Sequence, residues 1–164
     1  MIGQILETFC KGLRILLGCL MASLAIPVGM QVISRYTGLI PTYLWTEELA
    51  TFIFVWIVMI GSMVAVWEGT HFDVVITRDA RKPLLVLIQR SVVHLFVGVF
   101  ALLFAWYGIE YAKVGSIQSS VMMRANLLWT YITVPVAGAV WTVFSLYRLS
   151  EAFADYQASK RAPS

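Results

Sequence analysis

Charge is what this sequence has least of. Asp, Glu, Lys and Arg make up 13% of its 164 residues, against about 25% in an average soluble chain. Hydrophobic residues reach 60%, against roughly 45–50%, and the mean hydropathy is +0.81. A chain this short of polar groups cannot cover a water-facing surface, which excludes a typical soluble enzyme and a disordered tail. Cysteine is scarce as well: Cys10 and Cys19 are the only two. On one helix they would stand ~13 Å apart along the axis and on opposite faces. They cannot bridge each other, so a disulfide-stapled module is excluded, and they read as small apolar fillers. The net charge of +3 and the pI near 9.0 do not make nucleic acid a partner, because where charges fall matters more than their sum.

What the sequence has instead is long runs without a charge. Ile15 to Ser34, Leu49 to Trp67, Ser91 to Ile109 and Ala125 to Tyr147 contain no Asp, Glu, Lys or Arg and take up about half the chain. About 20 apolar residues, rising 1.5 Å each, cross ~30 Å of hydrocarbon. Each run therefore predicts one transmembrane helix, giving an all-α membrane protein with four spans, 15–34, 49–67, 91–109 and 125–147, in a single domain over 1–164. A β-barrel would need alternating segments of about ten residues, and there are none.

Nine of the twelve Lys and Arg fall at the N-terminus, in the second loop around Arg78, Arg81 and Lys82, and at the C-terminus. By the positive-inside rule, both termini are expected in the cytoplasm. Tyr36, Tyr43, Trp45, Trp106, Tyr107, Tyr111, Trp129 and Tyr131 then gather at the outer interface. Trp67 and Tyr147 mark the inner one, while Trp56 and Trp141 lie within spans, where packing is their expected role.

Ahead of the first span, Ile2, Ile5, Leu6, Phe9 and Leu13 recur at helical spacing, with Glu7 and Lys11 off the stripe. This predicts an amphipathic lead-in that lies on the inner surface or runs into the first span. Leu16-Leu17-Gly18-Cys19 resembles a lipoprotein cleavage box, and Ala22 to Ala25 a signal-peptidase site. Only three apolar residues and a glycine separate Arg14 from Cys19, too few for an apolar signal core of about 7–15 residues. The segment is expected to stay uncleaved.

Membrane helices that catalyse or conduct ions carry ionisable residues at depth. His94, four residues after Arg90, is the only candidate, and it reads as an interfacial histidine near the inner end of its helix. A haem would need a second axial ligand, and the other histidine, His71, lies in a loop. Outer cysteine pairs for quinone chemistry and an intramembrane carboxylate for proton coupling are both missing. No catalytic residue, cofactor or metal is expected. The alternative from the enzyme class is the membrane anchor of a respiratory oxidoreductase, with quinone or haem near His94.

Small residues recur in register instead. Gly18, Ala22, Ala25 and Gly29 form one seam, Gly98, Ala101, Ala105 and Gly108 another, and Gly61 and Ala65 a shorter pair. In lipid such seams supply packing energy by letting backbones approach, within one bundle or against a partner. Pro27 and Pro135 are expected to kink the first and fourth helices.

The most polar stretch beside a membrane helix is the first loop, from Arg35-Tyr36 through Pro41 to Trp45-Thr46-Glu47-Glu48-Leu49-Ala50. Glu47 and Glu48 open a helix, where carboxylates suit the N-terminal dipole. Trp45, Glu48, Phe52 and Trp56 share one face of it. Arg35 is expected to pair with Glu48 as a structural clamp on the loop. A metal or substrate site is the other reading, but nothing nearby completes a ligand set.

These residues resemble a known family, the small membrane subunit (DctQ-like) of tripartite ATP-independent periplasmic, or TRAP, transporters. The likeness rests on Arg35-Tyr36, Pro41, Trp45-x-Glu47-Glu48-Leu49-Ala50, Phe54-x-Trp56, Gly61-Ser62, Ala65 and Glu68-Gly69-x-His71-x-x-Val74. Trp129-x-Tyr131 and Pro135 add to it, whereas residues 1–14 and 148–164 contribute little. The resemblance implies a large permease subunit that carries the substrate and sodium sites, and a periplasmic solute-binding protein that docks transiently. The small subunit would extend the permease scaffold in the inner membrane and contact membrane lipid. Arg35, Tyr36, Trp45, Glu47, Glu48, Phe52, Trp56 and His71 would then belong to structural pairs or the partner interface. The outer loops 36–44 and 111–123 would be candidates to meet the binding protein.

Overall fold

Four helices are long and apolar enough to cross a membrane, one grown from each charge-free run. The structure, a computed structural model, describes residues 2–37, 41, 43–69 and 83–161. Its elements are α1 (Ile2–Thr37), α2 (Leu44–Glu68), α3 (Pro83–Ile117), α4 (Leu128–Tyr131) and α5 (Thr133–Arg161). The start of α2 and the α3–α4 connection lie at one end of the bundle, here the loop end. The N-terminus of α1 and the C-terminus of α5 lie at the other, the terminal end.

The helices outrun the charge-free segments because Glu, Lys and Arg, which end an apolar run, are themselves good helix formers. In α1 the lead-in and the span form one unbroken helix of 36 residues, ~54 Å at 1.5 Å per residue. The lead-in thus runs into the first span. Its inward face is not the Ile5–Phe9 edge, since Ile5 is 65% exposed while Cys10, at 1%, is buried. The ring of Phe9 nonetheless meets that of Phe144 on α5, edge-on at 6.4 Å.

The two prolines behave differently. Pro27 sits inside α1 without ending it. Pro135 comes three residues into α5, after the break at Ile132 that separates α4 from α5. Its ring nitrogen has no hydrogen to donate to Tyr131 four residues back. The chain resumes with Val136 N–H on Ile132 O at 3.2 Å. Ile132 keeps helical dihedrals, φ −65° and ψ −19°, so the fourth span runs on through this interruption from Leu128 to Ala158, short of one ladder hydrogen bond at Pro135. The residues 125–127 expected in that span belong instead to the loop before it.

Packing runs in a row: α1 on α2, α2 on α5, α5 on α3. The α3 seam is filled by α5. A Cβ on Gly138 would stand 2.5 Å from Ala105 N, and one on Gly108 2.8 Å from Pro135 N. Ala101 and Ala137 are fully buried there, and Trp141 stacks on Phe104 at 5.0 Å. Between α1 and α2, a Cβ on Gly61 would lie 3.9 Å from a methyl carbon of Leu17. The α1 seam takes no part in this contact, as a Cβ on Gly18 or Gly29 would meet nothing within 4 Å.

Candidate functional site

The described polar contacts between helices concentrate at the two ends. At the loop end, the segment after α3 folds back as a tight hairpin. Ser119 and Asn126 form an antiparallel bridge. Ser120 N–H donates to Ala125 O at 2.8 Å, and Leu127 N–H to Gln118 O at 3.0 Å. Arg124 takes the left-handed conformation at the turn, with φ 52°. The Asn126 side chain joins both flanks, donating to Ser116 O at 3.0 Å and accepting from Leu128 N–H at 2.8 Å.

Glu48 holds this hairpin to α2. Its carboxylate accepts the Ser120 hydroxyl, the Met122 N–H at 3.1 Å and the Met123 N–H at 2.9 Å. An ionised carboxylate is acceptor-only, so a turn offering several donors suits it. Two turns further along α2, the Trp56 indole N–H donates to Trp129 O at 3.1 Å. Tyr111 and Tyr131 stack at 4.1 Å and 15°, drawing α3 and α4 together at the same end.

At the terminal end the latch centres on Arg148 of α5. Its guanidinium donates to Trp67 O at 2.6 Å, one of the last carbonyls of α2 that has no partner within its own helix. It also pairs with Glu151 at 3.1 Å and lies 5.1 Å from the centroid of the Trp67 ring. Trp67 in turn packs on Phe144 at 5.0 Å and stacks with Tyr147 at 5.8 Å. Arg14 of α1 bridges Glu68 at 2.8 Å. α2 stops at Gly69, whose φ of 72° admits glycine without strain and whose N–H reaches Ala65 O.

The expected pairing of Arg35 with Glu48 does not form. The carboxylate is satisfied across the bundle by backbone and hydroxyl donors, which need no long side chain held in place. Arg35, exposed in the last turn of α1, lines a hollow with Glu47 instead. Tyr36 is 83% exposed and Trp45 40%, the latter with its ring 6.2 Å from that of Tyr43. Phe52 is half-buried on α2. His71 lies outside the described residues, as do Arg78, Arg81 and Lys82. His94 is half-buried on α3, with Arg90, Arg148 and Glu151 as its charged neighbours. Among the described residues, no three His, Cys, Asp or Glu side chains cluster as a metal would require.

Sequence reading missed the partners of Glu48 and Trp56, and with them the hairpin. The one local signal was the polar run Gln118-Ser119-Ser120 closed by Asn126, a turn-forming composition.

This arrangement defines a four-span membrane subunit whose polar groups tie helices to one another at the ends and leave the spans apolar. The chain belongs to the DctQ family, the DctQ component of the tripartite ATP-independent periplasmic transporters, whose sequence profile matches residues 24–155. It is a transport subunit, the small permease component of a TRAP transporter. No curated relative matches it.

Proposed function

We propose that this chain is the scaffold partner of a large permease subunit in sodium-driven uptake of an organic anion delivered by a periplasmic binding protein. The observation that carries the reading is the combination of the family match with spans empty of carboxylates and cations. Such groups at depth commonly mark substrate and ion pathways, and their absence from these spans supports assigning both to the large subunit. A frame, by contrast, needs helices fixed relative to one another, and the Glu48 and Arg148 latches supply that. The whole chain acts as one unit, with both termini in the cytoplasm and the loop end facing the periplasm. There the first loop and the hairpin are available to the loaded binding protein. Arg35, Tyr36, Trp45, Phe52 and His71 serve the bundle or the large-subunit interface.

The test is co-purification of the tagged chain from its native membrane in mild detergent. A large polytopic partner in roughly equal amount supports the scaffold role. A flavin or iron–sulfur protein in its place, or the chain alone, overturns it. Cysteine-accessibility labelling at Ser119 and near residue 158 checks the orientation, which fails if the latter site labels from outside.

A further inference from the structure

Where α1 closes and α2 opens, the two helices leave a hollow of ≈ 270 Å³. Gln31, Arg35, Tyr43 and Glu47 contribute polar lining, and Met30 and Leu44 apolar lining. Its depth is set by the sequence. Arg35 is the first charge after the run 15–34, and Glu47 stands just before the run 49–67, so the hollow opens where hydrocarbon gives way to headgroups.

The lining is chemically unfinished. Among the described residues neither Arg35 nor Glu47 forms an ion pair, although they line the same hollow. A simple anion would match Arg35 and face repulsion from Glu47, and a simple cation the reverse. One headgroup satisfies both when it carries a phosphate and an ammonium a few bonds apart. Phosphate oxygens accept from the guanidinium. A primary ammonium has N–H donors for the Glu47 carboxylate. A trimethylated one has none and favours an aromatic cage, and among the described lining residues Tyr43 is the one aromatic.

We propose that this hollow seats the headgroup of a phosphatidylethanolamine-type phospholipid, with its phosphate at Arg35 and its ammonium at Glu47. The proposal rests on the four membrane spans and not on the transport role, so the two stand or fall separately.

The experiment is native mass spectrometry of the full chain in mild detergent, supplied in turn with phosphatidylethanolamine, phosphatidylcholine and phosphatidylglycerol. The expected result is one phosphatidylethanolamine retained per chain, preferred about fivefold or more over the other two. Arg35→Ala should abolish retention, and Glu47→Gln should erase the preference over phosphatidylcholine while leaving binding. Lys113→Ala is the control for a charge lost elsewhere, and circular dichroism checks that each variant stays helical. Equal retention of the three lipids overturns the proposal, as does indifference to both variants. Displacement by soluble phosphoethanolamine at lipid-equivalent concentration also overturns it, because the site would then bind the free headgroup and not a lipid.

Discussion

The carboxylate of Glu48, in the second turn of α2, accepts the N–H of Met123 at 2.9 Å across 75 residues of sequence. With Ser120 and Met122 as further donors, this single side chain organises the whole turn between α3 and α4. Removing it should free the hairpin without unfolding the spans. In Glu48→Ala, amide exchange at Met122 and Met123 should rise by on the order of tenfold, while the centre of α5 stays protected. Glu48→Gln should fall between, because its amide keeps one acceptor oxygen and sets donors against donors. Hydrogen exchange read by mass spectrometry decides the matter, and unchanged protection in Glu48→Ala would refute the latch.

Trp56→Phe keeps most of the ring and deletes only the donor to Trp129 O. The expected cost is about 0.5–1.5 kcal/mol, seen as a lower thermal midpoint in detergent. A Trp56→Leu variant should lose more, since it also removes aromatic packing.

Arg148→Ala uncaps the end of α2 and removes the cation from the face of Trp67. A loss of about 1–2 kcal/mol is expected, with a change in tryptophan emission. Arg148→Lys should recover little, because an ammonium lacks the planar fork that reaches the carbonyl and Glu151 together. The half-exposed Arg14–Glu68 pair is a contrasting case: Arg14→Ala should shift stability by less than about 1 kcal/mol.

Two glycines with similar surroundings in the sequence should respond in opposite senses. Gly138→Ala drives a methyl into the backbone of Ala105, 2.5 Å from its nitrogen. The expected loss is about 1–3 kcal/mol. Gly18→Ala meets open space and should be neutral or gain up to about 1 kcal/mol from helix propensity in the isolated subunit. Thermal unfolding of the two variants side by side tests the contrast.

These pairs show what the sequence carries and what it does not. Charge gaps mark the four spans directly, because the cost of charge in lipid acts residue by residue. The packing role of Trp141 also follows from its depth, since its ring stacks on Phe104 within the bundle. Which seam is filled does not: Gly18–Gly29 and Gly98–Gly108 both recur at steps of three and four along one helix face, and only the path of α5 across α3 distinguishes them. Arg35 and Glu48 look complementary because they flank one loop, whereas the better donors for Glu48 come from a turn 72 residues further on. The interruption at Ile132 is half legible: Pro135 announces the missing hydrogen bond, but Pro27, which lacks the same donor, leaves α1 unbroken.

The side-by-side order α1, α2, α5, α3 carries one more consequence. Apart from Phe9 against Phe144 at the terminal end, α1 and α3 each lean mainly on one neighbour, and they bury the smallest share of their spans among the described residues. These two flanks carry most of the apolar surface that the bundle itself leaves uncovered.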